Sequence, residues 1–445
     1  MKDFALSDCP AVQAQLDRLG ALSVPQGRLG LETITALLAR LGNPHHSLPP
    51  VFHVAGTNGK GSVCAFLRAM LEAQGYRVHV TTSPHLVRYN ERIRLAGALI
   101  ADADLVALLA EVLDAGADVS PSFFEVTIAA AFLAFSRTPA DACVVEVGLG
   151  GRFDATNVLG PQVLAACGIA ALGLDHEKFL LAPEEGVPQA PMARIAFEKA
   201  GIAKPGVPLV TLDYPPIAQA EIERRSKTAA APLAMRGREW RAKTTSHGAS
   251  YHDHYGALTL PLPALPGAHQ ANNAALAVAM LRHQSRVVVG EGAIGDGLTN
   301  ASWPARLQTL AAGPVTEALG PRKVLLDGGH NPQAGAALAQ WLASAGQPVD
   351  AVIGMLASKD ARGFLEPLAS HLASVVAVPI GGHDHVAPAQ LAELARGLGI
   401  AECHAANSLE EALNKVPRRD GGTVLLGGSL YFAGQVLRAN REFPL

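Results

Sequence analysis

The chain is poor in cysteine, aromatic residues and net charge, and it contains no long apolar run. Five cysteines in 445 residues (Cys9, Cys64, Cys143, Cys167 and Cys403) form no CxxC pair and leave an odd count. That pattern fits small buried hydrophobes in a reducing compartment, not a disulfide framework. No stretch of about 18 uninterrupted apolar residues exists, so no membrane span is expected. The best candidate, Phe123 to Phe135, is short and contains Glu125. The start carries Asp3 and Asp8 and lacks the apolar core of a signal peptide, which points to the cytoplasm. Lysine and arginine total 36 against 39 acidic residues, a net charge of −3. No nucleic-acid footprint is expected from that balance, although a local basic cleft can still hold an anionic small molecule.

What is present describes a compact enzyme: 49% apolar and 17% charged residues. The length exceeds one ordinary core, so two domains are expected, residues 1–300 and 301–445. Helical spacing covers Asp8 to Leu19 and Leu31 to Leu41. The β-branched run Val51 to Val54 then leads through a glycine-rich turn into a helix, Ser62 to Gln74, and a second strand, Tyr76 to Thr81. This β-loop-α-β unit opens a parallel α/β sheet. Ala142 to Val147 reads as another strand buried on both faces, ending at Glu146 and a cluster of glycines. Beyond residue 300, strands and helices alternate again, predicting a smaller Rossmann-like α/β domain with a mainly parallel sheet. Between Ser226 and Leu260 the alternation of Thr, Tyr and His permits a hairpin.

Gly56-Thr57-Asn58-Gly59-Lys60-Gly61-Ser62 sits between strand and helix, where a phosphate loop belongs. Its glycines let backbone amides converge on phosphate oxygens, the helix N-terminus adds its positive dipole end, and Lys60 supplies a full charge. The match to the strict P-loop pattern is imperfect, because Val54 replaces the first glycine and Gly61 separates Lys60 from Ser62. Glu146, at the end of a buried strand, is a natural carboxylate for a cation that offsets nucleotide charge.

The loop resembles that of the folylpolyglutamate/dihydrofolate synthase branch of the Mur ligase superfamily. Further segments resemble the same family in the right order: Ser83-Pro84-His85, Glu146 to Arg152 with Asp154 to Asn157, Asp175-His176, Glu198 to Gly201, and His269-Gln270 with Asn273. Trp303 to Arg306, Asp327 to Pro332 and Gly428 to Tyr431 complete the set. The resemblance implies an ATP-dependent ligase with a Mur ligase-like fold and a P-loop-type ATPase domain. ATP would be held by residues 56–62, Asn273, Arg306 and Asp327. It implies Mg²⁺, with two ions, on Ser83, Glu146, His176 and a carbamylated Lys199, and it admits K⁺. Catalytic roles fall to Lys60, Lys199 and His330. Acceptor and glutamate contacts fall to Pro84, His85, Arg88, Phe124, Arg152, Asp154, Ala155, His330 and Ser429, with Arg92 suited to an anionic tail. One departure stands out: residues 181–191 look like an insertion, most simply a surface loop.

The implied chemistry activates a carboxylate as an acyl phosphate, which the amine of L-glutamate then attacks. The acceptor is dihydropteroate, a tetrahydrofolyl-polyglutamate or both, and the partners are small molecules acting on a monomer. Two alternatives compete. A ligase for UDP-linked muropeptides is disfavoured by the roughly 50 residues before the loop, too few for a UDP-sugar domain. A P-loop ATPase that switches binding partners is disfavoured by the second domain's Asp327 and His330 turn.

Overall fold

The computed structural model describes residues 6–22, 30–345 and 349–444. Part of the leader reading rests on residues 1–5, which lie outside the described residues. The chain divides into two compact units, Met1–Ala264 with Gln270–Ser302, and Leu265–His269 with Trp303–Leu445.

The first unit is built on an eight-stranded sheet. Its strands are Val51–Ala55 (β1), Val78–Thr81 (β2), Ile93–Leu95 (β3), Ala98–Leu99 (β4), Ala142–Glu146 (β5), Leu164–Ile169 (β6), Leu209–Thr211 (β7) and Leu233–Met235 (β8). Their order is β4-β3-β2-β5-β1-β6-β7-β8. The central strands β1, β5 and β6 are buried at every residue, as continuous apolar runs in a parallel sheet require. One edge departs from the parallel expectation, since β3 pairs antiparallel with both β2 and β4. Ala96 and Gly97 both take positive φ (48° and 97°), and such a two-residue turn joins only antiparallel strands.

Two helices of this unit position the site. Helix α1, Lys60–Ala73, follows the glycine loop, and helix α2, Phe123–Arg137, starts at Ser122 with a capping box closed by Glu125. Among the described residues no helix is long and apolar enough to cross a membrane. The stretch that permitted a hairpin holds more than that. Trp240–Thr245 (β9), Gly248–Asp253 (β10) and Gly256–Leu260 (β11) form a three-stranded antiparallel meander.

The second unit carries a six-stranded sheet: Gln308–Thr309 (β12), Lys323–Asp327 (β13), Val349–Ile353 (β14), Leu372–Ala377 (β15), Glu402–Ala405 (β16) and Thr423–Gly427 (β17). The order β12-β13-β17-β14-β15-β16 is parallel except at β12. The short strand β16 escaped the sequence reading because its residues, Glu-Cys-His-Ala, carry no apolar run.

Candidate active site

The glycine loop is pinned from one side by the segment that follows β6. Thr57 and Asn58 donate their backbone N–H groups to the Ala171 carbonyl (2.8 and 3.2 Å), and the Thr57 hydroxyl bonds the Gly173 carbonyl (2.9 Å). Gly59 takes φ +85° at the start of α1, and the Asn273 amide lies against it. Gln270 accepts from Asn273 Nδ2 (3.0 Å) and fixes that side chain. A Cβ at Gly59 would stand 2.4 Å from Asn273 Oδ1. Gly59→Ala is therefore expected to destabilise the fold by about 1–3 kcal/mol, because the left-handed backbone strains any side chain. Binding of a non-hydrolysable ATP analogue, read by calorimetry, should weaken at least about tenfold, the loop being the ligand's cradle.

Lys60 donates to the Gly56 carbonyl (3.1 Å). Lys199, at the end of the helix Pro191–Lys199 (α3), donates to the same oxygen (2.9 Å) across 143 residues of sequence. Both lysine nitrogens thus converge on the first residue of the loop. Burial, followed by the nearby charge of Lys60, pushes the Lys199 amine down to about 7, against the opposing pull of Asp175, Asp154 and Glu198. Between about 7 and the ordinary 10.5, the unfolded chain binds a proton that the folded chain does not. Stability at Lys199 therefore rises with pH through that window and is flat below it. In CO₂-depleted buffer, melting curves of wild type and Lys199→Met should converge as pH climbs from 7 to 9.5. A constant gap would contradict the burial of a neutral amine.

Glu146 ends β5 opposite Val54 of β1, at the end of the sheet from which the loop departs. Its Oε2 accepts from the Ser83 backbone N–H (3.1 Å), and it is buried. Burial, and after it the charge of Glu146, raises the Cys64 thiol, while Lys60 lowers it, so both charges are felt at Cys64 of α1. The Ser62 hydroxyl is buried and has no hydrogen-bond partner among the described residues. His176 takes φ +53° and follows the segment bonded to the loop, with Asp175 3.9 Å from its Nε2. Among the described residues no three His, Cys, Asp or Glu side chains converge as a metal site. The expected set contains only two of those types, Glu146 and His176. The buried carboxylate and the orphaned Ser62 hydroxyl are nonetheless hard oxygen donors suited to Mg²⁺.

The acceptor-side residues divide sharply. His85 is buried and accepts from Arg92 Nε at its Nδ1 (2.9 Å). Arginine cannot accept, so that nitrogen carries no proton and a neutral ring bears it on Nε2. Arg92, read as suited to an anionic tail, is wholly buried beside the rings of Tyr89 and Phe123. Arg88 has a buried Nε with no hydrogen-bond partner among the described residues. Pro84 lies half-buried before His85, and the Phe124 ring lies on Gly148, beside the strand that ends in Glu146. Asp154 is buried and uses both oxygens internally: Oδ1 accepts from Thr156 N and Oγ1 (3.0 and 2.5 Å), and Oδ2 accepts from Leu149 N (2.8 Å). It thus ties the glycine cluster to the turn that starts at Ala155. Arg152 is likewise engaged, by Glu184 and Glu198.

A curated relative, the dihydrofolate synthase/folylpolyglutamate synthase of Escherichia coli K12, is 36% identical over 413 residues, covering 92% of this chain and 90% of that one. This chain belongs to the dihydrofolate/folylpolyglutamate synthase family. A family model described as dihydrofolate synthetase, C-terminal domain, matches residues 316–439 of this synthase-family chain. A Bacillus subtilis relative with the same two-part name is 31% identical, covering 92% of this chain and 94% of that one. The solved structure of E. coli FolC with DHPP and ADP superposes with a TM-score of 0.83 at 33% identity, covering 97% of each chain. The Yersinia pestis bifunctional synthase with Mn, AMPPNP and L-glutamate gives 0.81 at 31% identity, covering 96% of this chain and 97% of that one. Membership in this family favours the ligase over the partner-switching ATPase.

The synthase's second unit holds its own group of candidates. Asp327 ends β13 and accepts from Leu307 N (2.9 Å) and Gly329 N (2.8 Å), so both oxygens organise the turn. Arg306 Nη1 bonds the Ala305 carbonyl (2.9 Å) and lies against Gly328. His269 is near both charges, and burial lowers its pKa despite Asp327. His330 Nδ1 meets the Gly328 carbonyl (3.1 Å). Ser429 is buried and caps the helix Leu430–Ala439 by accepting from Tyr431 N (3.2 Å), a structural use that its motif concealed. Gln270, which orients Asn273, was missed as a functional residue, although it lies in a motif already singled out.

Proposed function

We propose that this chain joins L-glutamate to a folate-type acid in an ATP-dependent reaction through an acyl phosphate. The observation that carries the reading is the convergence of Lys60 and Lys199 on the Gly56 carbonyl, with Glu146 ending the neighbouring strand. An acceptor carboxylate oxygen attacks the γ-phosphorus of ATP, and the bond to ADP breaks. The glutamate amine then adds to the acyl carbon, loses a proton, and phosphate leaves. Loop amides and Lys60 hold the phosphates, so the protein's contribution is positioning and charge stabilisation.

Mg²⁺, held by Glu146, Ser83, His176 and a modified Lys199, would neutralise charge on the phosphate oxygens. A lysine that titrates near 7 offers a neutral amine to CO₂: the nitrogen lone pair adds to carbon, a proton leaves, and an anionic carbamate results. Two ions and K⁺ belong to the same proposal, as do nucleotide contacts from Asn273, Arg306 and Asp327 and glutamate contacts from His330 and Ser429. Pro84, His85, Arg88, Phe124, Arg152 and the Asp154–Ala155 turn are proposed for the folate side. Action as a cytoplasmic monomer on small molecules completes the reading.

The test is phosphate release with dihydropteroate and with tetrahydrofolate, each with and without L-glutamate. Release that needs both acid and glutamate supports the ligase, and activity with both acids supports a bifunctional enzyme. Release indifferent to glutamate would sink the proposal.

A further inference from the structure

The segment 181–191 is not merely a surface loop. Glu184 turns inward and bonds Arg152 Nη1 (3.1 Å), Arg152 Nη2 (2.5 Å) and Arg194 Nη2 (2.9 Å). The same two guanidiniums hold Glu198, through Arg152 Nε (3.1 Å), Arg152 Nη2 (2.8 Å) and Arg194 Nε (2.9 Å). Two positive and two negative charges, all largely buried, close into one neutral ring, the arrangement that makes buried charges tolerable.

The ring is mounted on the backbone that presents Lys199. Arg152 N donates to the Glu198 carbonyl (2.8 Å). Gly151 allows no Cβ, since one would stand 2.7 Å from the Glu198 carbonyl oxygen and 2.9 Å from that of Lys199. Gly201 is equally crowded, since a Cβ there would stand 2.6 Å from Arg152 Cα. The guanidinium of Arg152 also lies over the rings of Phe153 and Phe197 (4.1 and 4.8 Å to their centroids). Helix α3 therefore has its last turn clamped against the glycine cluster beyond Glu146, and Glu184 supplies half of the negative charge in the clamp.

We infer that Glu184 is a positioning residue: by fastening residues 181–191 to Arg152 and Arg194, it holds the end of α3 so that Lys199 meets the phosphate loop. It touches no reacting atom and acts through Lys199. Without its charge, Arg152 and Arg194 share Glu198 alone, and an uncompensated buried charge drives the last turn of α3 to rearrange. The inference rests on the proposed role of Lys199 in holding the divalent cation.

The experiment measures Mn²⁺ affinity by calorimetry with a non-hydrolysable ATP analogue and bicarbonate present, for wild type, Glu184→Gln, Glu184→Asp and Lys199→Ala. Melting curves run alongside to establish that each variant is folded. Glutamine keeps the shape and removes the charge. Glu184→Gln is expected to weaken Mn²⁺ about tenfold or more, the range for a residue that orients a ligand, with Glu184→Asp recovering most of the loss. A purely structural role would lower the melting temperature and leave Mn²⁺ affinity of the folded protein unchanged, and that result overturns the inference. If Glu184→Gln is unfolded, Glu184→Asp carries the test: a residual severalfold weakening of Mn²⁺ affinity in folded protein supports the inference, and wild-type affinity beside a lowered melting temperature overturns it. Wild-type affinity in Lys199→Ala overturns the Lys199 reading itself. Weakening there, without weakening in Glu184→Gln, rejects the clamp alone.

Discussion

Lys60→Met lowers ATP-dependent ligation about a hundredfold to a thousandfold, the loss expected when one preorganised electrostatic contact to the reacting phosphates is removed. Methionine preserves the apolar stem and suits the first turn of a helix, so α1 should still form. What disappears is the ammonium that now rests on the Gly56 carbonyl, 3.1 Å away. That interaction is a parking position which a phosphate oxygen, with a full negative charge, outcompetes. A second effect follows from the shared carbonyl. Lys60 is the second cause, after burial, of the lowered Lys199 pKa, so its loss moves Lys199 back toward the ordinary lysine range. Steady-state phosphate release with saturating acid acceptor and glutamate reads the first effect. The pH dependence of ¹³C-bicarbonate incorporation reads the second. Retention of more than about a tenth of wild-type turnover would remove Lys60 from the mechanism.

Glu146→Gln raises the Mg²⁺ concentration needed for half-maximal activity by about 10- to 100-fold or more, the scale on which changes around a metal site act. The amide oxygen can still accept the 3.1 Å bond from Ser83 N, so the local strand end is kept while the charge goes. Excess Mg²⁺ should recover part of the rate, which a collapsed site would not permit. The charge also adds to the burial that raises the Cys64 thiol. Thiol titration by absorbance in the folded variant should accordingly shift toward lower pH. An unchanged Mg²⁺ dependence would leave Glu146 with a structural role, as acceptor for Ser83 N.

The phosphate loop, the strand before it and the helix after it were legible because each is local. A buried β-branched run, a glycine turn and a 3.6-residue apolar period are written within twenty residues of chain. Glu146 was legible for a related reason: a carboxylate at the end of a wholly apolar strand is expensive unless it has a task. The antiparallel edge at β3 and β4 was not, because Ala96-Gly97 is a weak turn signal whose positive φ values appear only once the chain is folded. The meander of β9 to β11 was half legible, its alternation visible but its third strand hidden.

For the site, the sequence by itself determined the inventory: a glycine loop with Lys60, an acidic strand end, a lysine after Glu198, and a second unit with its own Asp327 turn. Tertiary structure decided what each is committed to. The resemblance makes Arg152 and Asp154 acceptor contacts, and the fold gives one to Glu184 and Glu198 and the other to Leu149 and Thr156 as internal partners. Arg92 reads as suited to an anionic tail and is the buried donor that orients His85. Lys199 meets the Gly56 carbonyl across 143 residues, and Arg152 meets Glu198 across 46. The physical reason is the same throughout. Residue type and spacing report the local backbone, whereas the partner that desolvates, neutralises or orients a charged group comes from another strand end. Only the packed sheet brings those ends together.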